Sequence, residues 1–210
     1  MGYHRLMLQY LDHIEQPSSP TLILLHGYGS NKEDLFGLLP YFKGFNLVCF
    51  QAPIPMDMGG YAWYPIDWNN GAKIIDSEEV DSVRALVQTA ITHWTTIHKI
   101  TGPLVLGGFS QGAILSTAIY ANGFKAAAFV FLSGYALPEW QEHLAEFKST
   151  IPVFQSHGTA DPVIPFEWAK ATATLLNSNP NYNFHEYSMG HNLNMPCIEK
   201  LQEFLENLLA

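Results

Sequence analysis

Short, unbroken apolar runs separated by helix-period segments are the feature that most restricts how this chain can fold. Residues 21–25, 46–50, 104–106, 126–132 and 153–156 form such runs, and each soon meets a glycine or a proline. Residues 6–10 and 183–187 read as further strands near the two ends. A strand wetted on one face alternates polar and apolar side chains, whereas a continuous run suits a strand covered on both faces, as in a parallel sheet. The intervening segments have helical spacing. Asp76 and Glu79 form a capping-box pattern ahead of Val80, Val83, Val87, Ala90, Ile91, Trp94 and Ile97. Residues 111–120 form a second helix closed by Asn122-Gly123, and 166–176 a third. Ile198, Leu201, Leu205 and Leu208 put an apolar stripe on a terminal helix entered at Pro196. This alternation predicts an α/β fold with a mostly parallel central sheet and helices on both faces. With no repeat or linker, 1–210 reads as a single domain.

Composition narrows the function classes. The chain is 48% hydrophobic and 14% charged, which suits a large core. A net charge of −9 argues against nucleic acid, whose phosphates need clustered Lys and Arg, and against anionic membrane surfaces. No run approaches the ~18 apolar residues of a membrane span, so stable membrane insertion is not expected. Cys49 and Cys197 are too sparse for a disulfide framework or a zinc site, and Cys49 lies in an apolar run as a small buried hydrophobe. These features and the lack of a signal-peptide pattern predict a cytoplasmic protein. No H-E-x-x-H or paired C-x-x-C is present, so no metal is implied.

Gly108-Phe109-Ser110-Gln111-Gly112 matches the G-x-S-x-G nucleophile elbow. The pentapeptide alone is a modest signal, and its context strengthens it. It directly follows the run 104–106 and directly precedes a helix, which is the sharp strand-to-helix turn that such a serine needs. A serine hydroxyl is a weak nucleophile until a base removes its proton, so a histidine is required. In this architecture the acid and then the histidine follow the serine. His143 and His157 precede the candidate acid, and His185 lies within the strand at 183–187. His191, on the loop behind Gly190, is therefore the expected base. Asp161 is the one carboxylate in the turn after 153–156, placed to orient that imidazole, although an Asp before Pro also suits a helix N-cap. The oxyanion hole needs two backbone N–H donors. Gln111 supplies one, and Tyr28, in the turn His26-Gly27-Tyr28-Gly29, supplies the other; His26 itself reads as a structural, hydrogen-bonded residue.

Residues 52–75 break the rhythm, with Pro53, Pro55, Gly59, Gly60, Pro65 and Gly71 interleaved with Tyr61, Trp63, Tyr64 and Trp68. Long loops in compact domains are usually functional or disordered, and this aromatic content argues against disorder. Trp63, Tyr64 and Phe109 are the expected substrate-pocket residues, with packing of the loop as the alternative for the first two. Residues 135–152 are the whole connection between two strands, which leaves no room for a separate cap domain.

With these residues in place, the chain resembles the phospholipase/carboxylesterase family of small α/β hydrolases, which includes the acyl-protein thioesterases. The resemblance rests on His26-Gly27-Tyr28-Gly29 with Asp34-Leu35, on Gly107 to Gly112, on His157-Gly158 with Asp161 to Pro165, and on Gly190-His191. It implies the α/β-hydrolase fold, cofactor-free hydrolysis of carboxylic esters or thioesters, and frequent homodimers. Ala113 stands where the family commonly has another glycine. The turn after His26 and the loop 52–75 differ from the thioesterase branch. The expectation is a serine carboxylesterase for small or medium acyl groups. Acyl thioesterase or lysophospholipase activity is the alternative within the class, and a catalytically silent binding protein on the same fold is the alternative outside it.

Overall fold

The computed structural model describes residues 7–208 except Met58, Asn70 and Gly71. Its strands are β1 (Tyr10–His13), β2 (Thr21–Leu25), β3 (Asn46–Phe50), β4 (Ile54–Pro55), β5 (Tyr61–Ala62), β6 (Asp67–Asn69), β7 (Ala72–Ile74), β8 (Leu104–Phe109), β9 (Ala128–Leu132), β10 (Val153–Gly158) and β11 (Tyr182–Tyr187). Its helices are α1 (Lys32–Phe36), α2 (Ser77–Ile97), α3 (Gln111–Ala121), α4 (Pro138–Glu146), α5 (Phe166–Leu176) and α6 (Met195–Asn207).

Seven strands pair in the order β1-β3-β2-β8-β9-β10-β11. Every neighbouring pair is parallel except β1 against β3. Alternate residues of β2 serve opposite faces, as the period of a strand requires. Ile23 and Leu25 join Val80, Val87 and Trp94 of α2 and Ile114 and Leu115 of α3, whereas Leu22 and Leu24 join Leu35 of α1 and Cys197, Leu201 and Leu205 of α6. All five residues of β2, β3 and β9 are buried, which explains their unbroken apolar runs. β11 is one of the two edge strands and carries exposed Asn183 and Glu186. His185 on that strand stacks on Phe154 at 4.8 Å, a packing role.

Helix boundaries follow local chemistry. Asp76 caps α2 by accepting from the Glu78 amide, and Asn194 caps α6 by accepting from Cys197 N–H. Every residue of α3 is buried, so this helix has no polar stripe.

Two expectations shift. The early strand expected at 6–10 begins outside the described residues at Leu6; the observed strand is Tyr10–His13, set by its register on β3 with Tyr10 opposite Phe50. The segment 52–75 holds two small antiparallel hairpins, β4 with β5 and β6 with β7, rather than an irregular loop. Gly59 and Gly60 turn the first hairpin at φ 89° and 75°. A Cβ on Gly60 would overlap the Gly29 carbonyl, so this glycine lets the hairpin lie directly on the turn after β2.

The chain leaves β2 for β3 on one side, then returns through α2 to β8 on the other. Neighbouring β2 and β8 therefore form the topological switch point, whose carboxyl ends are where open α/β sheets bind ligands. The ends of these two strands are the His26–Gly29 turn and Ser110.

Candidate active site

Ser110 occupies the one-residue turn between β8 and α3 at φ 54°, ψ −117°. A non-glycine residue held there costs about 1–3 kcal/mol. Packing enforces it. Ser110 N–H donates to Leu132 O at 2.9 Å, and Ile114 N–H donates back to Ser110 O at 3.0 Å. A Cβ on Gly108 would meet the Gly112 carbonyl carbon at 2.5 Å, and one on Gly112 would overlap Leu25 O. The two glycines of the motif are thus required where β2, β8 and α3 cross with no room for side chains.

The structure brings Ser110, His191 and Asp161 together. His191 Nδ1 lies 2.7 Å from Asp161 Oδ2, and its Nε2 lies 2.9 Å from Ser110 Oγ. A carboxylate can only accept, so Nδ1 donates and Nε2 is left to accept the serine proton. Asp161 does not cap a helix, since α5 starts only at Phe166. Its Oδ1 instead accepts from Val163 N–H and Ile164 N–H at 2.8 and 2.9 Å. One oxygen fixes its own loop and the other faces the imidazole. A Cβ on Gly158 would overlap Met189 O, so that glycine lets the acid loop approach the histidine loop.

His157 is part of this arrangement, which its place in the sequence did not reveal. It is fully buried; its Nε2 donates to Ile164 O at 3.0 Å and sits 3.4 Å from Asp161 Oδ2, while its Nδ1 has no hydrogen-bond partner among the described residues. Burial lowers its pKa against the opposing effect of the Ile164 carbonyl. The ring is therefore a neutral strut under the acid loop.

The turn after β2 packs on the nucleophile, with an ideal Cβ on Gly27 only 3.3 Å from Ser110 Cβ. Gly29 N–H donates to Tyr61 O and Ser30 N–H to Gly27 O, while the Tyr28 and Gln111 amides have no acceptor among the described residues. His26 is structural, as expected. Its Nδ1 donates to Gly27 O, and its Nε2 accepts from Ala52 N–H and the Gln51 amide group. Burial lowers its pKa.

Trp63 and Tyr64 sit elsewhere than expected. Both are 0% exposed, so neither offers a surface to substrate in this structure. The Trp63 indole N–H donates to His26 O at 2.8 Å. The Gln111 side chain holds the same segment, accepting from Trp63 N–H at 2.9 Å and donating to Tyr64 O at 2.8 Å. These bonds tie residues 63 and 64 to the end of β2 and to the start of α3, next to the two expected oxyanion-hole amides. Of the three pocket residues named from the sequence, Phe109 alone borders an open cleft, its ring 4.9 Å from that of His191. That cleft, about 340 Å³, is also lined by Asp34, Leu35, Leu38, Leu193 and Ile198. A second cavity of about 370 Å³, walled by Tyr135, Leu137 and Trp168, contains no member of the Ser–His–Asp set. Among the described residues no cluster of His, Cys, Asp or Glu fits a metal ion, and no helix is long and apolar enough to cross a membrane.

Such an array of base, nucleophile and free amides suits acyl transfer through a covalent serine adduct. Comparison with known proteins agrees. The phospholipase/carboxylesterase family model matches residues 11–209. Acyl-protein thioesterase 1 of Kluyveromyces lactis is 28% identical over 214 residues, covering 92% of this chain and 94% of that protein. Among solved structures, esterase PE8 superposes with a TM-score of 0.83 at 23% identity, covering 96% of this chain and 98% of that one. The Bacillus cereus carboxylesterase superposes at 0.80 with 20% identity, covering 96% and 95%. These two likenesses establish the α/β-hydrolase fold. On the family match and the fold together, the chain belongs to the phospholipase/carboxylesterase family and is a serine hydrolase of the esterase or thioesterase type.

Proposed function

We propose that the chain hydrolyses acyl thioesters through an acyl-enzyme on Ser110. The observation that carries this reading is the hydrogen-bonded chain from Ser110 Oγ through His191 to Asp161. Ser110 Oγ attacks the acyl carbonyl as its proton passes to His191 Nε2, and Asp161 stabilises the imidazolium. The Tyr28 and Gln111 amides face the carbonyl oxygen as it gains charge, a contribution of about 10²–10³ in rate for each donor. The thiol leaves with the proton from Nε2, and water attacks the acyl-enzyme by the same route in reverse. The thioester preference is supported by the relatives named acyl-protein thioesterases, such as that of Kluyveromyces lactis.

A second reading, a carboxylesterase for small or medium acyl groups, is favoured by the openness of the site. Among the described residues the connection between β9 and β10 holds only α4, so no cap domain is inserted there. Matched acyl thioesters and p-nitrophenyl esters of increasing chain length separate the two. The thioesterase reading expects the higher kcat/KM on a thioester at equal acyl length, with no turnover by Ser110→Ala. Turnover confined to esters would overturn it in favour of the carboxylesterase.

A further inference from the structure

Two cavities at this end of the sheet differ in one respect that bears on chemistry. His191 forms part of the wall of the 340 Å³ cleft, next to Asn192 and Leu193, whereas the cavity at the end of β9 has no catalytic residue in its wall. When the acyl-enzyme forms, the Ser110 Oγ–carbon bond is made and the bond from that carbon to the leaving oxygen or sulfur breaks. The proton taken from Ser110 is returned by His191 Nε2 to the leaving atom. That atom must then lie within hydrogen-bond reach of Nε2, and the group attached to it extends along the histidine's side of the site.

The walls on that side are Leu35, Leu38, Phe109, Leu193 and Ile198, with a single charge, the Asp34 carboxylate. No lysine or arginine lines the cleft. Lys32, on the same helix, is already matched by Glu33 at 3.1 Å. Asp34 is exposed and oriented by the Ser30 hydroxyl, which donates to its Oδ2 at 2.7 Å. An anionic group there would meet a like charge with no lysine or arginine in the wall to offset it, in a protein of net charge −9. An apolar or cationic group would meet a complementary wall.

We infer that this cleft receives the leaving alcohol or thiol, and that Asp34 makes the enzyme select uncharged or cationic leaving groups over anionic ones. The inference rests on the acyl-enzyme mechanism proposed above and adds the substrate's leaving half to it. Three butyryl esters that differ only in the leaving alcohol test it: choline (cationic), 3,3-dimethylbutanol (its uncharged isostere) and 2-hydroxyethanesulfonate (anionic). All three pass through the same butyryl-enzyme, so any difference in kcat/KM belongs to acylation. The expected order is choline at or above dimethylbutanol, with the sulfonate at least ~5-fold lower. In Asp34→Asn the choline-to-sulfonate ratio should collapse toward one. In Glu139→Gln, which removes an equal charge from the other cavity, the ratio should stay within about twofold. Using ratios within each variant cancels any general loss of activity.

Equal kcat/KM for all three esters in the wild type, or an unchanged ratio in Asp34→Asn, would overturn the inference while leaving Ser110 chemistry intact. A shift in acyl-length preference in Asp34→Asn with the alcohol held constant would overturn it too, by making this the acyl cleft. Failure to turn over any of the three, together with an unreactive Ser110, would remove the hydrolase mechanism and this inference with it.

Discussion

At the scale of single residues, the site is held by places where a side chain is forbidden or enforced. Ser110 stays in its strained conformation because Gly108 and Gly112 let three backbones cross beside it. A less visible fit involves Ala113, which occupies a position the family commonly gives to glycine. A Cβ on Gly134 would lie 2.5 Å from Ala113 Cβ, so the glycine after β9 provides the space for the alanine on α3. Gly134→Ala is expected to destabilise the fold by about 1–3 kcal/mol through overpacking. Ala113→Gly should recover much of that loss in the double variant, as measured by urea denaturation. Additive losses would mean that the two positions do not share the space. His157 shows what residue order alone missed: it precedes the acid in sequence, yet its ring supports the acid loop from below.

At the scale of elements, the hairpin β4–β5 and the two residues after it, Trp63 and Tyr64, strap the oxyanion turn to the elbow. Ser30 and Tyr61 pair across this contact, Trp63 reaches His26 O, and the Gln111 side chain ties α3 to the backbone at Trp63 and Tyr64. This strap replaces the pocket wall expected at Trp63 and Tyr64. Trp63→Phe keeps an aromatic ring, though a smaller one, and removes the indole N–H, a bond worth about 0.5–1.5 kcal/mol. It is expected to lower kcat by roughly 3–10-fold without changing acyl-length preference across a p-nitrophenyl ester series. A changed length profile would restore the lining role. The aromatic cluster in 52–75 was legible in the sequence as an ordered, functional segment. Its direction was not, because a tryptophan at a pocket wall and one behind it have the same local pattern. The central strands were legible because burial on both faces leaves continuous apolar runs. β1 and the short hairpins were not, because edge and two-residue strands carry no such signature.

At the scale of the whole molecule, residues 110, 161 and 191 meet because β8, β10 and the loop after β11 all end at one edge of a parallel sheet. This convergence could be read in advance from the order of the motifs, since a parallel sheet brings all its strand-to-helix turns to one side. The buried histidines also tie the fold to pH. His26 and His157 have pKa values lowered by burial. Their contribution is complete above the unfolded histidine value of about 6.5 and declines as pH falls below it, because the unfolded chain binds the protons first. The free energy of unfolding, read by urea denaturation, is expected to drop between pH 7.5 and 5. His157→Asn should flatten that slope by up to about 1.4 kcal/mol per pH unit; an unaltered slope would show that His157 takes up its proton equally when folded. The most direct measurement of the central claim is mass-spectrometric mapping after reaction with a fluorophosphonate. One adduct is expected, on Ser110, absent in Ser110→Ala and slowed at least ~100-fold in His191→Ala. An adduct on another serine, or labelling as fast without His191, would contradict a nucleophile activated by that imidazole.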